Sequence, residues 1–266
     1  AATDRWLRGA GGWLVAVGPA ERLRALLEPL GTIEVVSATD PAVTLPKLPS
    51  EITADPSPRE LEDGRRLMTA ALGAHGGRAA LEGVKDASFE GNLQIAIQRE
   101  EQLGTFRELR LEPDRFLRIT ILKNVPAQQV IDGAAGWIQA SALGDSALDV
   151  TGADLEIMRR DANSDFRSLM LACSEPRTRI AARGRETFGT TETEILEAVH
   201  PDRGRHILFL DAKSRRVLAI DETRTQGAQT VLLRHRYGDY REVGKIVWPF
   251  YEDRSVQGEQ VLVMQV

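Results

Sequence analysis

The residue types that most often carry enzymatic chemistry are few and scattered in this sequence. It has one cysteine, Cys173, and four histidines, His75, His200, His206 and His235. The His-x-x-Glu-His zinc motif is absent, and so are the Gly-x-Ser-x-Gly nucleophile motif and the glycine-rich loops that bind phosphates or dinucleotides. We therefore predict no catalytic residues, no metal site and no cofactor, so this chain is predicted not to be an enzyme.

The composition excludes several classes of protein. The 266 residues are 42% hydrophobic and 27% charged, which is typical of a globular protein and not of a disordered one. The net charge of -5 gives no attraction to nucleic acid or to an anionic membrane surface. The longest apolar runs are far shorter than the roughly 20 residues of a membrane helix, so no transmembrane segment is predicted.

The hydrophobic pattern divides the chain into three parts. Residues 13–17 and 33–36 have the pattern of short strands, and the leucines between them recur at helical spacing. This predicts a β-α-β unit within residues 1–40, which is too small to bury a core by itself. Residues 41–57 are rich in proline and have no hydrophobic period, which predicts an extended linker. Residues 58–266 are predicted to form the main domain.

The main domain combines helical and strand patterns. Ser57 and Glu60 have the spacing of a capping box, which predicts a helix from this point to about Leu72. A second helical pattern, long or broken, covers residues 151–173. Most of the remaining sequence has the alternation of short strands, joined by loops of hairpin length. We predict an α+β fold, in which a large, strongly curved antiparallel sheet carries helices on one face.

Apolar residues that alternate along the predicted strands are the main functional signal. If these strands belong to one curved sheet, their inward side chains form a long hydrophobic concavity. Packing of the core beneath the helices accounts for most of these residues, and a cavity large enough for an acyl chain is the alternative interpretation. The predicted ligand-binding candidates are Leu93, Ile95, Ile97, Leu117, Ile119 and Leu218.

Five short strings within residues 58–266 together resemble the LolA/LolB lipoprotein-carrier superfamily. They are Ala74-His-Gly-Gly77, Pro113-Asp-Arg115, Val130-Ile-Asp-Gly133, Phe209-Leu-Asp-Ala-Lys213 and Tyr237-Gly-Asp-Tyr-Arg-Glu-Val-Gly244. The resemblance implies a half-open β-barrel with helices packed on its concave face. It also implies a periplasmic or otherwise extracytoplasmic module of the bacterial envelope, which binds a lipid, a lipoprotein or an apolar peptide in a hydrophobic concavity.

The first part of the chain resembles a different family. The segment from Trp13 to Val36 looks like the closing strand-helix-strand of an insulinase-type zinc peptidase domain. This likeness implies that a peptidase-like domain precedes the chain in a longer protein, and that any peptidase activity resides there. The alternative function is therefore an accessory or interaction domain of a peptidase-like protein, with a filled core and no small-molecule ligand.

Overall fold

Thirteen strands form one antiparallel sheet in the computed structural model, which describes residues 55–97, 100–141, 144, 146–226 and 229–266. The strands are β1 (Asp86–Ile97), β2 (Glu100–Leu111), β3 (Arg115–Leu122), β4 (Val125–Asp132), β5 (Ala135–Ala140), β6 (Leu148–Asp149), β7 (Arg179–Phe188), β8 (Thr191–His200), β9 (Gly204–Asp211), β10 (Val217–Gln226), β11 (Gln229–Val243), β12 (Ile246–Val256) and β13 (Glu259–Gln265). Their order across the sheet is β6-β5-β4-β3-β2-β1-β13-β12-β11-β10-β9-β8-β7. Because β6 and β7 are the two outer strands and do not pair, the sheet remains open.

The described part of the chain contains four helices, and side-chain caps explain where the first and the last of them begin. They are α1 (Pro58–Ala74), α2 (Arg78–Gly83), α3 (Gly152–Ala162) and α4 (Phe166–Cys173). The predicted capping box is present, since the Ser57 hydroxyl accepts from the Glu60 N–H and the Glu60 carboxylate accepts from the Ser57 N–H. The helical pattern over 151–173 is broken because Asp165 starts a new helix, accepting a hydrogen bond from the Ser168 N–H.

The helices pack on one face of the sheet, which we call the helix-facing side. Residues paired across neighbouring strands share a face, so Leu196, Leu208 and Ile220 form one row on this side. That row lies in the core beneath α1, α2 and α4. Phe116 and Ile131 form a second row on the same side, and this row packs against α3. The predicted α+β fold with an open antiparallel sheet is confirmed.

Helix α1 approaches the sheet unusually closely. A Cβ atom at Gly64 would lie 2.7 Å from the Cα atom of Ala181 in β7, so only glycine fits at this contact. The approach lets Met68 and Ala71, on the same face of α1, become almost fully buried. The glycine therefore sets the distance between the helix and the sheet.

Strand β12 continues through Pro249, where the sequence predicts an interruption because proline has no N–H for the ladder. That prediction is wrong. Pro249 pairs with Tyr240 of β11 and the register is the same on both sides of this pair, although the neighbouring residues Asp239 and Phe250 do not pair. The backbone irregularity lies instead in β11, where Asp239 next to Tyr240 has a φ of 48°.

The predicted β-α-β unit of residues 1–40 lies outside the described residues, as does most of the predicted linker over 41–57. Both assignments, and the boundary before residue 58, stay predictions. In the part of the chain that the structure describes, no helix is both long enough and apolar enough to cross a membrane.

Candidate functional site

Charged side chains occupy the middle of the helix-facing side, between the sheet and the start of α4. The central charge network consists of Glu108, Arg110, Arg118, Asp165, His235, Glu252 and Arg254. In its first half, Arg110 contacts Asp165 at 2.8 Å and Glu108 at 2.5 Å, and Arg118 contacts the other oxygen of Glu108 at 2.8 Å. Two arginines and two carboxylates therefore balance each other beneath α4.

The second half of the network joins β11 to β12. Glu252 accepts from Arg254 at 2.6 Å and from the Nδ1 atom of His235 at 2.8 Å. Burial by itself raises the pKa of Glu252, but Arg254 and His235 outweigh burial and hold this pKa at about 2. The same pairing outweighs burial at Arg254 and raises its pKa. Glu252 and Arg254 are therefore fixed in their charged forms at neutral pH.

Little space remains beside this network. The cavity between α4 and the sheet has a volume of about 40 Å³, far below the roughly 300–1,000 Å³ of ligand pockets. Its apolar lining is aromatic, with ring centroids of Phe89 and Trp248 at 5.2 Å and of Phe166 and Trp248 at 5.8 Å. The centre of the helix-facing side therefore has no room for an acyl chain.

An open groove runs between α3 and strands β3 to β6, and we call it the α3 groove. Its volume is about 490 Å³, within the range of ligand pockets. The helix supplies one wall, at positions spaced by three and four residues. The two walls contain Asp154, Ile157, Met158, Asp161 and Ala162 from α3, Phe116, Arg118, Gln129, Ile138, Leu148 and Asp149 from the strands, and Val150 and Thr151 between them.

The groove exists because α3 contacts the sheet along only part of its surface. Leu155, Met158 and Ala162 are buried against Phe116 and Ile131. By contrast, Ile157 is 47% exposed and Leu148 is 44% exposed. Two large apolar side chains thus lie open to solvent on opposite walls of the groove, as in surfaces that bind apolar partners.

The register does not place the predicted ligand-binding residues on one side of the sheet. Leu93 and Ile95 lie on the helix-facing side of β1. Leu117 and Ile119 lie on the outer side of β3, because they alternate with Phe116, which packs against α3. These four residues therefore do not line a common cavity.

The two remaining candidates lie elsewhere. Leu218 is at a β-bulge in β10, between Val217 and Ala219, and Ile97 is the last residue of β1. Of the five candidates other than Ile97, whose side chain lies outside the described part, none lines the α3 groove or the central cavity. A contact between any of them and a ligand stays a prediction.

Two of the histidines are buried beneath the helices as neutral groups. His75 donates from Nδ1 to the Val247 carbonyl at 3.0 Å and accepts at Nε2 from the Val217 N–H at 3.3 Å. Burial lowers the pKa of His75 to about 4, and burial likewise lowers the pKa of His206 to about 4. His75 therefore uses both ring nitrogens to connect three elements of the core.

His200 and Cys173 also have structural surroundings. His200 accepts at Nδ1 from the backbone N–H groups of Asp202 and Arg203, and its Nε2 atom bonds to Glu175 at 3.1 Å. Burial raises the pKa of the Cys173 thiol to about 12, so this sulfur is not a thiolate at neutral pH. Within the described residues, no group of three or more histidine, cysteine or acidic side chains is arranged to hold a metal ion.

Sequence reasoning missed the residues of the α3 groove. A signal for them exists in the spacing of Asp154, Ile157, Met158 and Asp161, which puts carboxylates and large apolar residues on one helical stripe. Such a mixed stripe is typical neither of a fully buried face nor of a fully solvated one. It indicates a helix face that borders an open apolar surface.

Comparisons with known proteins give similarity at the level of fold. No family model matches the sequence, and no curated protein is significantly similar to it. A solved DUF1329 family protein from Desulfovibrio piger is 10% identical, with a TM-score of 0.50 over 77% of this chain and 90% of that chain. At this identity the likeness concerns the fold alone.

Two further solved structures align over similar lengths. A putative outer membrane lipoprotein-sorting protein domain from Vibrio parahaemolyticus is 14% identical, with a TM-score of 0.48 over 77% of this chain and 90% of that chain. A LolA superfamily protein from Nitrosomonas europaea is 12% identical, with a TM-score of 0.43 over 76% and 90% of the two chains. The described domain shares the fold of the DUF1329 family protein, which here is an open antiparallel sheet with helices on one face. The insulinase-type likeness of residues 13–36 lies outside the described residues and stays a prediction.

Proposed function

We propose that this chain is a non-catalytic module that binds the apolar part of a lipid, a lipoprotein or a peptide in the α3 groove. One observation carries the proposal, which is that a groove of about 490 Å³ exposes the large apolar side chains of Ile157 and Leu148 on opposite walls. When a partner removes such apolar surface from water, the free energy of binding becomes more favourable by about 25 cal/mol per Å² of buried area.

The non-catalytic assignment is supported by the surroundings of the reactive residue types. His75 and His200 are held by backbone hydrogen bonds, and Cys173 is buried as a thiol. The carboxylates of the central charge network are each paired with an arginine, so their oxygens are engaged within the protein. The proposed periplasmic or otherwise extracytoplasmic location rests on the resemblance of the sequence strings to the lipoprotein-carrier superfamily.

A second candidate is an interaction domain with no small-molecule ligand. The observation that favours it is the small volume of the central cavity, about 40 Å³, beside side chains that are already paired. An association with a peptidase-like domain stays a prediction, since it depends on residues outside the described part of the chain.

Binding of a fluorescent fatty-acyl probe tests the proposal. Ile157→Glu places a charge in the groove and is expected to weaken probe binding by about tenfold or more, because burying an unpaired carboxylate is costly. Val243→Glu is the matched control, since Val243 is also 47% exposed but lies in β11, away from the groove. It is expected to bind the probe like the wild type.

Both variants are checked for folding by their urea denaturation midpoints. Absence of probe binding by the wild-type protein would favour the interaction-domain candidate for this ligand class. Equal weakening by Ile157→Glu and Val243→Glu would show that the α3 groove is not the binding site.

A further inference from the structure

An arginine from a distant strand holds the junction between α3 and α4, residues 161–165, which we call the α3–α4 elbow. Arg224 of β10 donates to the Asp161 carboxylate at 2.6 Å and to the Ser164 hydroxyl at 2.5 Å. Its guanidinium is oriented by Glu222 on the same strand, whose two oxygens accept from it at 2.8 Å and 3.0 Å. Arg224 therefore contacts the elbow from a fixed position on the sheet.

A second arginine holds the elbow from the other half of the sheet. Arg110 of β2 donates to the Ala162 carbonyl at 2.5 Å and to the Asp165 carboxylate at 2.8 Å. Strands β1, β13, β12 and β11 lie between β2 and β10 in the sheet. The end of α3 is therefore tied to strands on both sides of the sheet centre.

Asp161 belongs to the face of α3 that borders the α3 groove. It lies four residues after Ile157, so the two side chains point to the same side of the helix, and both line the groove. Next to them, Leu155 and Met158 form the line along which α3 rests on the strands. A roll of α3 about this line, bringing Ile157 onto the strands, would displace Asp161 from its contact with Arg224.

The exposed apolar walls of the groove favour such a roll. Ile157 is 47% exposed and Leu148 is 44% exposed on opposite walls, and bringing them together removes apolar surface from water. The contact between Asp161 and Arg224 opposes the roll, because moving the carboxylate onto apolar strand surface separates it from its counter-charge. In the structure this contact is made and the two walls stay apart.

We propose that Arg224 is a positioning residue that keeps the α3 groove open by holding Asp161. This inference rests on the proposed function, since an open groove matters only where a partner enters it. When the contact with Asp161 is lost, α3 rolls toward the strands, Ile157 covers the groove, and the space for the apolar part of a partner closes.

The reactivity of a thiol inside the groove tests the inference without any ligand. Gln129 lines the groove and is exposed, so Gln129→Cys places a thiol there without removing an apolar side chain from either wall. Cys173, the one natural cysteine, is buried, and burial raises its pKa to about 12. An uncharged maleimide therefore reports on position 129 alone.

The variant that breaks the contact carries Asp161→Ala and Ser164→Ala in the Gln129→Cys chain. These changes remove both elbow acceptors of Arg224 and leave its pair with Glu222 intact. We expect the thiol to react about threefold to tenfold more slowly, since it reacts only in the fraction of molecules with an open groove. Urea denaturation midpoints check that each variant is folded.

Two controls distinguish positioning from a general effect on α3. Glu156→Ala removes an exposed ion pair with Arg159 on the same helix and is expected to leave the reaction rate unchanged. Asp161→Asn keeps an acceptor oxygen for Arg224 and is expected to react within about twofold of the unaltered background. A faster reaction in the double alanine variant would mean that α3 loosens, and an unchanged rate would mean that Arg224 does not set the groove; either result overturns the inference.

Binding of the acyl probe separates this inference from the proposed function. Probe binding that is sensitive to Ile157→Glu, together with an unchanged thiol reaction in the double alanine variant, would overturn the role of Arg224 and leave the proposed function intact. A slowed thiol reaction in a protein that binds no probe would support the role of Arg224 and overturn acyl binding in the groove.

Discussion

Two regions on the helix-facing side of the sheet differ in how tightly the helix above them packs on the strands. At the centre, charged side chains of β2 and β12 are paired beneath α4 and leave a cavity of about 40 Å³. At the edge formed by β3 to β6, α3 contacts the strands through part of its surface and leaves a groove of about 490 Å³. A shared fold and a shared face therefore do not imply a shared binding site.

The difference teaches where an open sheet of this kind can accept a partner. Buried charges are tolerated at the centre because each has a hydrogen-bonded counter-charge, and separating them to admit an apolar ligand leaves unpaired charge in a dry environment. At the edge, a ligand displaces only water from exposed apolar side chains. Binding is therefore expected at the edge, and disruption is expected to be most costly at the centre.

The largest expected effect is the loss of Glu252. Glu252→Ala leaves Arg254 and His235 without their buried partner, so we expect a loss of about 3–5 kcal/mol in the free energy of unfolding, measured by urea denaturation. Glu192→Ala is the control, since its pair with Arg185 is about 60% exposed at both side chains, and less than about 1 kcal/mol should be lost. Equal losses in the two variants would contradict the distinction between a buried network and a solvated surface.

Truncation of apolar side chains separates the filled centre from the open groove. Met170 in α4 is fully buried, and Met170→Ala is expected to cost about 2–5 kcal/mol because it leaves a cavity in a packed core. Ile157→Ala in α3 is expected to cost less than about 1 kcal/mol, since the side chain is 47% exposed. Chemical denaturation measures both, and a large loss at Ile157 would mean that the groove is closed in solution.

Two glycines test how rigidly the helices rest on the sheet. Gly64→Ala places a Cβ atom against the backbone of Ala181. We therefore expect the free energy of unfolding to fall by about 1–3 kcal/mol. At Gly136 in β5 the new Cβ atom would meet the side-chain ends of Leu155 and Met158, the latter at 2.7 Å. Because side-chain ends can move, Gly136→Ala is expected to cost less than about 1 kcal/mol.

Gly73→Ala provides the control for the glycine pair. Gly73 lies near the end of α1 with open space around it. Because alanine has a higher helix propensity than glycine, Gly73→Ala is expected to raise the free energy of unfolding by about 0.5–1 kcal/mol. Thermal or chemical denaturation ranks the three variants. A Gly64→Ala variant as stable as the wild type would show that α1 is free to move outward.

Stability is also expected to depend on mildly acidic pH. His75 and His206 have folded-state pKa values lowered from 6.5 to about 4, so each favours the unfolded state once it can bind a proton there. Their stabilising contribution is complete above about pH 6.5 and is lost as the pH falls toward 4. Between pH 7 and about 5.5 we expect a loss of about 1 kcal/mol for each histidine.

Replacement of a histidine identifies the source of that loss. His206→Gln removes one titrating group, so the pH dependence of the denaturation midpoint is expected to be about half that of the wild type. Glu252 does not contribute in this window, because its pKa moves from 4.5 down to about 2 and its contribution is lost only in that lower range. An unchanged pH profile in His206→Gln would assign the effect to other groups.

Much of the fold follows from local sequence patterns, whereas the candidate site does not. The capping box at Ser57 and Glu60 places the start of α1 because its hydrogen bonds are local. The alternation in β2 and β3 predicts strands for the same reason. The α3 groove depends instead on the distance between α3 and β6, which are brought together by tertiary packing, so no local pattern predicted Leu148 as its wall.

The sequence by itself determined which segments alternate between apolar and polar residues and which have helical spacing. These patterns predict an α+β fold with a large antiparallel sheet. Only the tertiary structure decided which side of each strand faces the helices. In β2, Leu109 and Leu111 have the apolar character of an inward face, yet Glu108 and Arg110 are the residues that point beneath α4. Alternation defines two faces but not which one is covered, and paired counter-charges make burial of the polar face possible.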